Sequence, residues 1–269
     1  MAEDVSARRS VPGLPKAPAR VPVEAGNPFA EAAGEDYHAI RPRYPEEAVA
    51  AVLAPLDSGR NVQDVVELGA GTGLFTAQLV NAGAHVRAVE PAAGMAEVLS
   101  GSVAEAELVV ADAETTGLAE SSADVVVAAQ AWHWFDTHAV SLEAARIARP
   151  DARLVALWNQ MDTAVAWVHR LTRIMRSGDV HAANPRQRRF AEPWGREQFQ
   201  VWHWTLRLTP AQLQQLMESR SVWIRSNVDV RARMAANLSW YLHEHLGHAD
   251  DEVIEIPQIT VLWSAGLAG

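Results

Sequence analysis

The fold of this chain is decided by Glu67-Leu68-Gly69-Ala70-Gly71-Thr72-Gly73, a glycine-rich stretch between a β-rich run and a helical run. Glycine lets the backbone turn sharply, and it lets a ligand approach where a Cβ atom would collide. A glycine loop that follows a strand and opens a helix is typical of nucleotide-binding α/β domains. The stretch therefore predicts both an α/β fold and the position of its ligand.

Around this loop, short β-rich runs alternate with helical runs. The predicted strands are Val62–Leu68, His85–Glu90, Glu107–Ala111, Asp124–Ala129 and Arg153–Trp158. The helices predicted between them are Leu74–Ala82, Ala92–Leu99 and Thr137–Ala148. This alternation predicts a Rossmann-like, doubly wound α/β domain with a mostly parallel sheet and helices on both faces. The unbroken Val/Ala run of the fourth strand indicates burial on both of its faces.

After residue 160 this alternation stops. Two further strands are predicted at Ser221–Ser226 and Ile256–Ser264, and helices at Met161–Arg176, Ala211–Glu218 and Ala232–His245. We expect five segments: a flexible Pro-rich leader over 1–28, an N-terminal helical cap over 29–60, the Rossmann-like core over 61–160, a small substrate-capping insertion over 161–220, and C-terminal strands and a helix that complete the sheet over 221–269.

The composition excludes several classes of function. The 23 basic and 33 acidic residues give a net charge of −10, which argues against a nucleic-acid partner because negative charge repels phosphates. The absence of cysteine excludes thiolate metal sites and cysteine nucleophiles. Lys16 is the only lysine, so a Walker-type phosphate-binding lysine is excluded as well. No apolar run reaches the roughly 18 residues of a membrane span and Met1–Arg20 lacks a signal core, so we expect a cytoplasmic protein without a membrane partner.

The glycine loop differs from a dinucleotide fingerprint, which has glycine at the position of Leu74. With Glu67 two positions before its first glycine, the stretch resembles the E/D-x-G-x-G-x-G motif of class I S-adenosylmethionine methyltransferases. The resemblance implies S-adenosyl-L-methionine as the cofactor, with its methionine part against the loop. It also implies that Glu90, at the end of the second strand, accepts the ribose hydroxyls and that Asp112 accepts the adenine amine.

Two further segments resemble the ubiquinone-biosynthesis-like and trans-aconitate-like small-molecule methyltransferases. Tyr37–Pro45 is similar to their Y-x-x-x-R-P-x-Y-P segment, and Gln130–Phe135 to their A-x-H-W-F segment. The resemblance implies seven strands and a set of cofactor-binding residues. That set is Tyr37, Arg41, Glu67, Gly69, Ala70, Gly71, Gly73, Glu90, Pro91, Met95, Asp112, Ala113 and Gln130. Where the family usually has Pro-Gly-Gly, this chain has Pro150-Asp151-Ala152, so the turn must avoid positive φ or strain a non-glycine residue.

His133 is the candidate catalytic residue, because it follows the fourth strand at the edge where ligands bind in open α/β sheets. An imidazole can take a proton from a hydroxyl or ammonium acceptor near neutral pH. A carboxylate acceptor needs no base, and His133 would then only shape the pocket between Trp132 and Trp134. Tyr37 and Arg41 either orient an anionic group or form a pair on a helix surface.

Two other groups of residues can be interpreted either as parts of the structure or as parts of a functional site. Three histidines near the C-terminal end match no zinc-binding spacing, so we expect a solvated helix end and no metal site. They are His243, His245 and His248. Three tryptophans crowd the segment expected to cover the substrate, and they either cover it or pack a small core. They are Trp194, Trp202 and Trp204.

Together these patterns predict transfer of a methyl group from S-adenosyl-L-methionine to a small-molecule acceptor by in-line displacement. The acceptor atom belongs to a hydroxyl, a carboxylate, a carbon or an amine. The alternatives are a methyltransferase that acts on a peptide or protein, and a non-catalytic binding protein with the same fold. A nicotinamide oxidoreductase is disfavoured by Leu74 and Glu67.

Overall fold

The computed structural model describes residues 40–176 and 189–268, so the predicted leader and Tyr37 lie outside the described residues. The strands are β1 (Asp64–Leu68), β2 (His85–Val89), β3 (Glu107–Val109), β4 (Ala123–Ala129), β5 (Ala148–Met161), β6 (Gln198–Leu208) and β7 (Ile254–Gly266). The α-helices are α1 (Glu46–Val52), α2 (Leu74–Asn81), α3 (Ala93–Ser102), α4 (Thr137–Ile147), α5 (Ala166–Met175), α6 (Pro210–Glu218), α7 (Ser221–Ile224) and α8 (Val228–Ser239). A 3₁₀ turn spans Trp132–Trp134, and a π-helical turn, Trp240–His245, continues α8.

The strands form one sheet in the order β3-β2-β1-β4-β5-β7-β6. The first five strands run parallel to one another. Strand β7 runs antiparallel to β5, and β6 runs antiparallel to β7. The predicted seven-stranded, mostly parallel, Rossmann-like sheet is confirmed. Because parallel strands end at the same edge, the loops after β1, β2, β3 and β4 meet there, and this is the edge where such sheets bind ligands.

The prediction of a strand at Ser221–Ser226 is wrong, because Ser221–Ile224 forms the short helix α7. The sixth strand is β6, which lies inside the 161–220 segment. Its signal is present in Trp202–Leu208, where apolar residues alternate with His203, Thr205 and Arg207. The alternation is easily missed because β6 is an edge strand, so most of its side chains are only partly covered.

Pro150-Asp151-Ala152, which replaces the usual Pro-Gly-Gly turn of the family, lies inside β5. No residue of this segment takes a positive φ, as the replacement of two glycines requires. The pairing of β5 with β4 shifts register between Ala123 and Val125, next to this segment. The strand then continues to Met161, three residues beyond the predicted end, and its extension pairs with β7.

Apolar side chains pack in two layers on the two faces of the sheet and in a separate lobe. One layer contains Tyr44, Phe75 and Leu157, and the other contains Trp132 and Trp263. The lobe has its own core, built from Met161 at the end of β5 and from side chains of α5, α6 and α8. We call α5–α8 the helical lobe. Among the described helices, none is long and apolar enough to cross a membrane.

The amino-terminal end of β4 is held by Asp124, which is completely buried. Its carboxylate accepts the backbone N–H groups of Gln63 and Asp64 at 2.9 Å each and forms ion pairs with Arg60 and Arg149. Burial by itself raises the pKa of this carboxyl, but these hydrogen bonds hold the pKa well below its usual range. The network joins β4 to the residues that begin β1, at the opposite end of β4 from His133.

Candidate functional site

The glycine loop after β1 is tied by hydrogen bonds to the end of β2. The N–H groups of Gly69 and Ala70 donate to the carbonyl oxygen of Val89 at 2.9 and 3.1 Å. The N–H of Gly71 donates to Oε2 of Glu90 at 2.9 Å. Three successive backbone donors are thus directed to the same strand end, and the loop and Glu90 form one unit.

The glycines of the loop differ in what surrounds them. A Cβ atom on Gly69 would lie 2.7 Å from Cβ of Ala131, and one on Gly73 would lie 2.9 Å from a leucine side chain of α3, so packing requires both glycines. Gly71 also has a positive φ, of 58°, but within 4 Å a Cβ there would meet only Sδ of Met95, at 3.8 Å, among the described residues. Gly71 therefore faces open space, as close approach of a ligand to the backbone requires.

Glu90 carries the predicted ribose-binding carboxylate and is only 4% exposed. Its two oxygens accept the N–H groups of Gly71 and Ala92, each at 2.9 Å. Burial raises the pKa of Glu90, and the two backbone hydrogen bonds oppose this shift. A carboxylate offers about four lone-pair positions, so two remain for hydroxyl donors.

Glu67 lies beneath the loop rather than in the open space. Its side chain is buried, and its Oε2 accepts the hydroxyl of Thr76 at 2.6 Å, which joins the end of β1 to α2. Burial raises the pKa of Glu67 to about 8, against the opposing effect of the Thr76 hydrogen bond. At neutral pH the carboxyl is mostly protonated, so it supports the loop as a neutral group.

The loop after β3 brings a second carboxylate to the same edge. Asp112 is exposed, and its side chain has no hydrogen-bond or ion-pair partner in the described part of the chain, whereas Ala113 is buried. Sequence reasoning missed Val110, whose side chain is 65% exposed at the end of β3. An exposed apolar side chain two residues from a carboxylate suits a flat heterocycle with an exocyclic amine.

The backbone N–H of Glu90 donates to the carbonyl of Val109 at 3.0 Å, which fixes the ends of β2 and β3 relative to each other.

Three other residues of the predicted set have definite positions. Met95 is buried at the start of α3 and borders the space in front of Gly71, while Pro91 is exposed. Gln130 takes a left-handed conformation, with φ of 58°, and its side-chain amide donates to the carbonyl of Asn159 at 2.7 Å. A non-glycine residue in this conformation is uncommon, and such residues cluster at functional sites.

His133 lies exposed in the 3₁₀ turn that follows β4. The indole N–H of Trp158, on β5, donates to Nδ1 of His133 at 3.5 Å. A ring nitrogen that accepts a hydrogen bond carries no proton, so this long contact is compatible with a neutral imidazole that holds its proton on Nε2 and can donate from it.

The helical lobe meets the loop after β4 next to His133. Trp134 is 48% exposed, and the guanidinium of Arg225, just after α7, lies 5.7 Å from the centre of its ring. Sequence reasoning missed Arg225, because no spacing pattern links residues 91 positions apart. Arg41 donates from Nη2 to the carbonyl of Ser219 at 2.7 Å and joins the N-terminal segment to the end of α6, and its role toward an anionic group stays a prediction.

The predicted tryptophans and histidines have structural partners. Trp194 is buried and donates to the carbonyl of Ser141 at 2.8 Å, so it belongs to the core. Trp202 and Trp204 are half-buried on β6, and Trp204 donates to Thr260 at 3.0 Å. The histidines make local contacts at the end of the π-helical turn. These contacts are Nδ1 of His243 with the carbonyl of His248 at 2.8 Å, and Nδ1 of His248 with Glu252 at 3.0 Å.

Comparisons with known proteins agree with this geometry. Residues 66–156 match the family described as a methyltransferase domain. An uncharacterized methyltransferase of Mycobacterium tuberculosis is 37% identical over 243 residues, which cover 89% of this chain and 96% of that protein. One of Schizosaccharomyces pombe is 28% identical over 141 residues, 52% of this chain and 56% of that protein. A solved structure from Anaeromyxobacter dehalogenans, provisionally described as a type II methyltransferase, has a TM-score of 0.64 at 24% identity and covers 85% of this chain and 98% of its own. This last similarity concerns the fold.

Proposed function

The chain belongs to the methyltransferase family, and on this premise we propose that it transfers a methyl group from S-adenosyl-L-methionine to a small-molecule acceptor. When bound, this cofactor supplies an electrophilic methyl group on a sulfonium that is already a good leaving group. The protein then has to position two molecules and exclude water, which by itself accounts for a large part of the rate of a bimolecular reaction.

The observation that carries the proposal is the open space in front of Gly71, between Glu90 and Met95. A Cβ atom on Gly69 or Gly73 would collide with protein atoms, whereas one on Gly71 would meet only Sδ of Met95, at the ordinary contact distance of 3.8 Å, among the described residues. The donor and acceptor chemistry at this place fits the cofactor. Glu90 accepts hydroxyl groups, the apolar Met95 borders the methionine part, and the negative charge of Glu90 and Asp112 suits a cationic ligand.

Eight of the predicted cofactor-binding residues divide into two sets under this proposal. Gly71, Glu90, Met95 and Asp112 contact the cofactor, and Val110 joins them on the adenine side. The other four fix the shape of the loop without touching the ligand. These are Glu67, Gly69, Ala70 and Gly73.

The acceptor is proposed to bind where the helical lobe meets the loop after β4. His133, Trp134 and Arg225 are exposed there and offer a hydrogen-bond donor, a ring face and a positive charge. His133 is proposed to orient the acceptor through Nε2–H. The helical lobe is proposed to be the substrate cap, although β6 separates its helix α5 from the others in the chain.

Two measurements test the proposal in sequence. Calorimetry with S-adenosylhomocysteine tests the cofactor site, and a screen of acceptors with labelled methyl donor, read by mass spectrometry, tests the reaction. Cofactor binding with labelled product supports the proposal. Lack of S-adenosylhomocysteine binding would refute the cofactor site. Binding with labelled protein or peptide as the only product would assign a macromolecular acceptor.

A further inference from the structure

A groove rich in positive charge runs between α5 and α8 of the helical lobe. We call it the basic groove and define it by His169, Arg170, Arg173, Arg176 and Arg233. It encloses about 640 Å³, and no aspartate or glutamate is among its lining residues. This composition is unexpected in a chain with a net charge of −10.

Among residues 40–176 and 189–268, the guanidinium groups of the basic groove have no acidic partner. In the part of the chain that the structure describes, Arg173, Arg176 and Arg233 form no side-chain hydrogen bond or ion pair. Arg170 lies over the rings of Trp240 and Tyr241, at 5.6 and 5.2 Å from their centres. These ring contacts fix the plane of the guanidinium without using its N–H groups.

Four arginines outside the groove pair with carboxylates. Arg60, Arg146, Arg149 and Arg207 each lie within 2.8 Å of an aspartate or glutamate oxygen. The basic groove differs from these sites because several arginines line one concavity together, with no aspartate or glutamate among its lining residues.

Like charges at this spacing repel one another. Arg170 and Arg173 are three residues apart along α5, so they lie on neighbouring positions of one helix face, and pairs of like charge there destabilise a helix. Arg176 follows the last residue of α5 and adds a third guanidinium to the lining of the groove. A bound anion would remove this repulsion. Arginine forms bidentate hydrogen bonds with phosphate and carboxylate groups, and Asn237 adds an amide to the lining.

We propose that the basic groove binds a compact, soluble anion that carries two or more phosphate or carboxylate groups. The volume of about 640 Å³ is within the range of small-molecule pockets, and the site is concave rather than flat. It is distinct from the proposed cofactor cleft, whose charged groups are the carboxylates Glu90 and Asp112 and would repel such a ligand. The inference does not depend on methyl transfer, because it concerns a second ligand at a second place.

The test is calorimetry of the full chain with inorganic diphosphate and, in a second arm, citrate, at matched ionic strength. We expect submillimolar binding of at least one of them to the wild-type protein. The double variant Arg173→Gln/Arg233→Gln should raise the Kd at least tenfold, which corresponds to about 1.4 kcal/mol. The variant Arg196→Gln/Arg207→Gln removes the same net charge from exposed positions outside the groove, and it should bind as the wild type does.

Thermal unfolding checks that the groove variant is folded, and its Tm should not fall because like-charge repulsion is removed. The proposal is overturned if neither anion binds more tightly than sodium chloride of equal ionic strength would explain. It is also overturned if the groove variant and the wild type bind equally, or if an acidic peptide such as oligoglutamate binds while both small anions fail.

Discussion

The carboxylate of Glu90 accepts the backbone N–H of Gly71 at 2.9 Å, so the end of β2 holds the glycine loop that follows β1. The same carboxylate accepts the N–H of Ala92 at 2.9 Å, at the start of α3. Glu90 therefore fixes the shape of the cleft, and under the proposed function its remaining lone pairs accept hydroxyl groups of the cofactor. Substitutions at Glu90 should change both stability and cofactor affinity, and these two effects can be measured separately.

Glu90→Ala is expected to weaken S-adenosylhomocysteine binding by about 10- to 150-fold, because hydrogen bonds to a charged group contribute roughly 1.5–3 kcal/mol. It should also destabilise the fold by about 1–3 kcal/mol, since buried N–H groups lose their acceptor. Glu90→Gln keeps one acceptor oxygen, so its affinity and its stability should lie between those of the wild type and those of Glu90→Ala. Calorimetry and thermal unfolding measure the two effects, with exposed Glu105→Ala as the control. If folded Glu90→Ala binds S-adenosylhomocysteine as tightly as the wild type does, Glu90 has only a structural role.

Gly71→Ala should reduce S-adenosylhomocysteine affinity at least tenfold, because the added methyl group enters the space proposed for the cofactor. The left-handed backbone adds about 1–2 kcal/mol of strain. Gly247→Ala is the matched control, since Gly247 has a φ of 81° and no atom within 4 Å of an added Cβ. It should lose similar stability and keep its affinity. Gly69→Ala should lose more stability, because its Cβ would collide with Ala131. If Gly71→Ala binds S-adenosylhomocysteine as tightly as the wild type does, the cofactor does not bind in front of Gly71.

His133→Asn is expected to raise the acceptor KM by about tenfold and to change kcat only a few-fold. The tenfold change corresponds to the loss of one hydrogen bond that contributes roughly 1.4 kcal/mol to acceptor binding. This expectation follows from the proposal that His133 orients the acceptor through Nε2–H while Nδ1 accepts from Trp158. His138→Asn, at an exposed histidine in α4, serves as the control. Steady-state kinetics with the acceptor from the screen measures both constants. A fall in kcat of about 10²- to 10⁴-fold, with an acid limb in the wild-type pH profile, would identify His133 as a general base instead.

Glu67 should make the protein less stable as pH rises. Its pKa is about 8 in the folded protein against an ordinary value of 4.5, so between these values the folded state binds more protons than the unfolded state. The free energy of unfolding therefore decreases with pH in this window, by at most about 1.4 kcal/mol per pH unit. Glu67→Gln still accepts the Thr76 hydroxyl but cannot ionise, and its stability should depend less on pH. Denaturant unfolding from pH 5 to 8 measures the difference, and parallel curves for variant and wild type would contradict the assignment.

Much of the fold could be predicted because its signals are local. The glycine loop and the Val/Ala run of β4 each act within a few residues of the chain, and each has the predicted structure. The edge strand β6 was missed because most of its side chains are only partly covered, so its apolar alternation is weak. The apolar run Val222–Ile224 resembles a strand in composition but forms a helical turn, because no neighbouring strand pairs with it.

The sequence by itself determined the class of fold, the order of its first five strands along the chain and the position of the glycine loop, because these depend on backbone freedom and on short-range periodicity. Only the tertiary structure decided that Gly69 is needed for packing while Gly71 faces open space, that the indole of Trp158 lies next to Nδ1 of His133, and that Arg173 and Arg233 line one groove. Those relationships depend on distances between side chains that are far apart in the chain, and no local pattern encodes them.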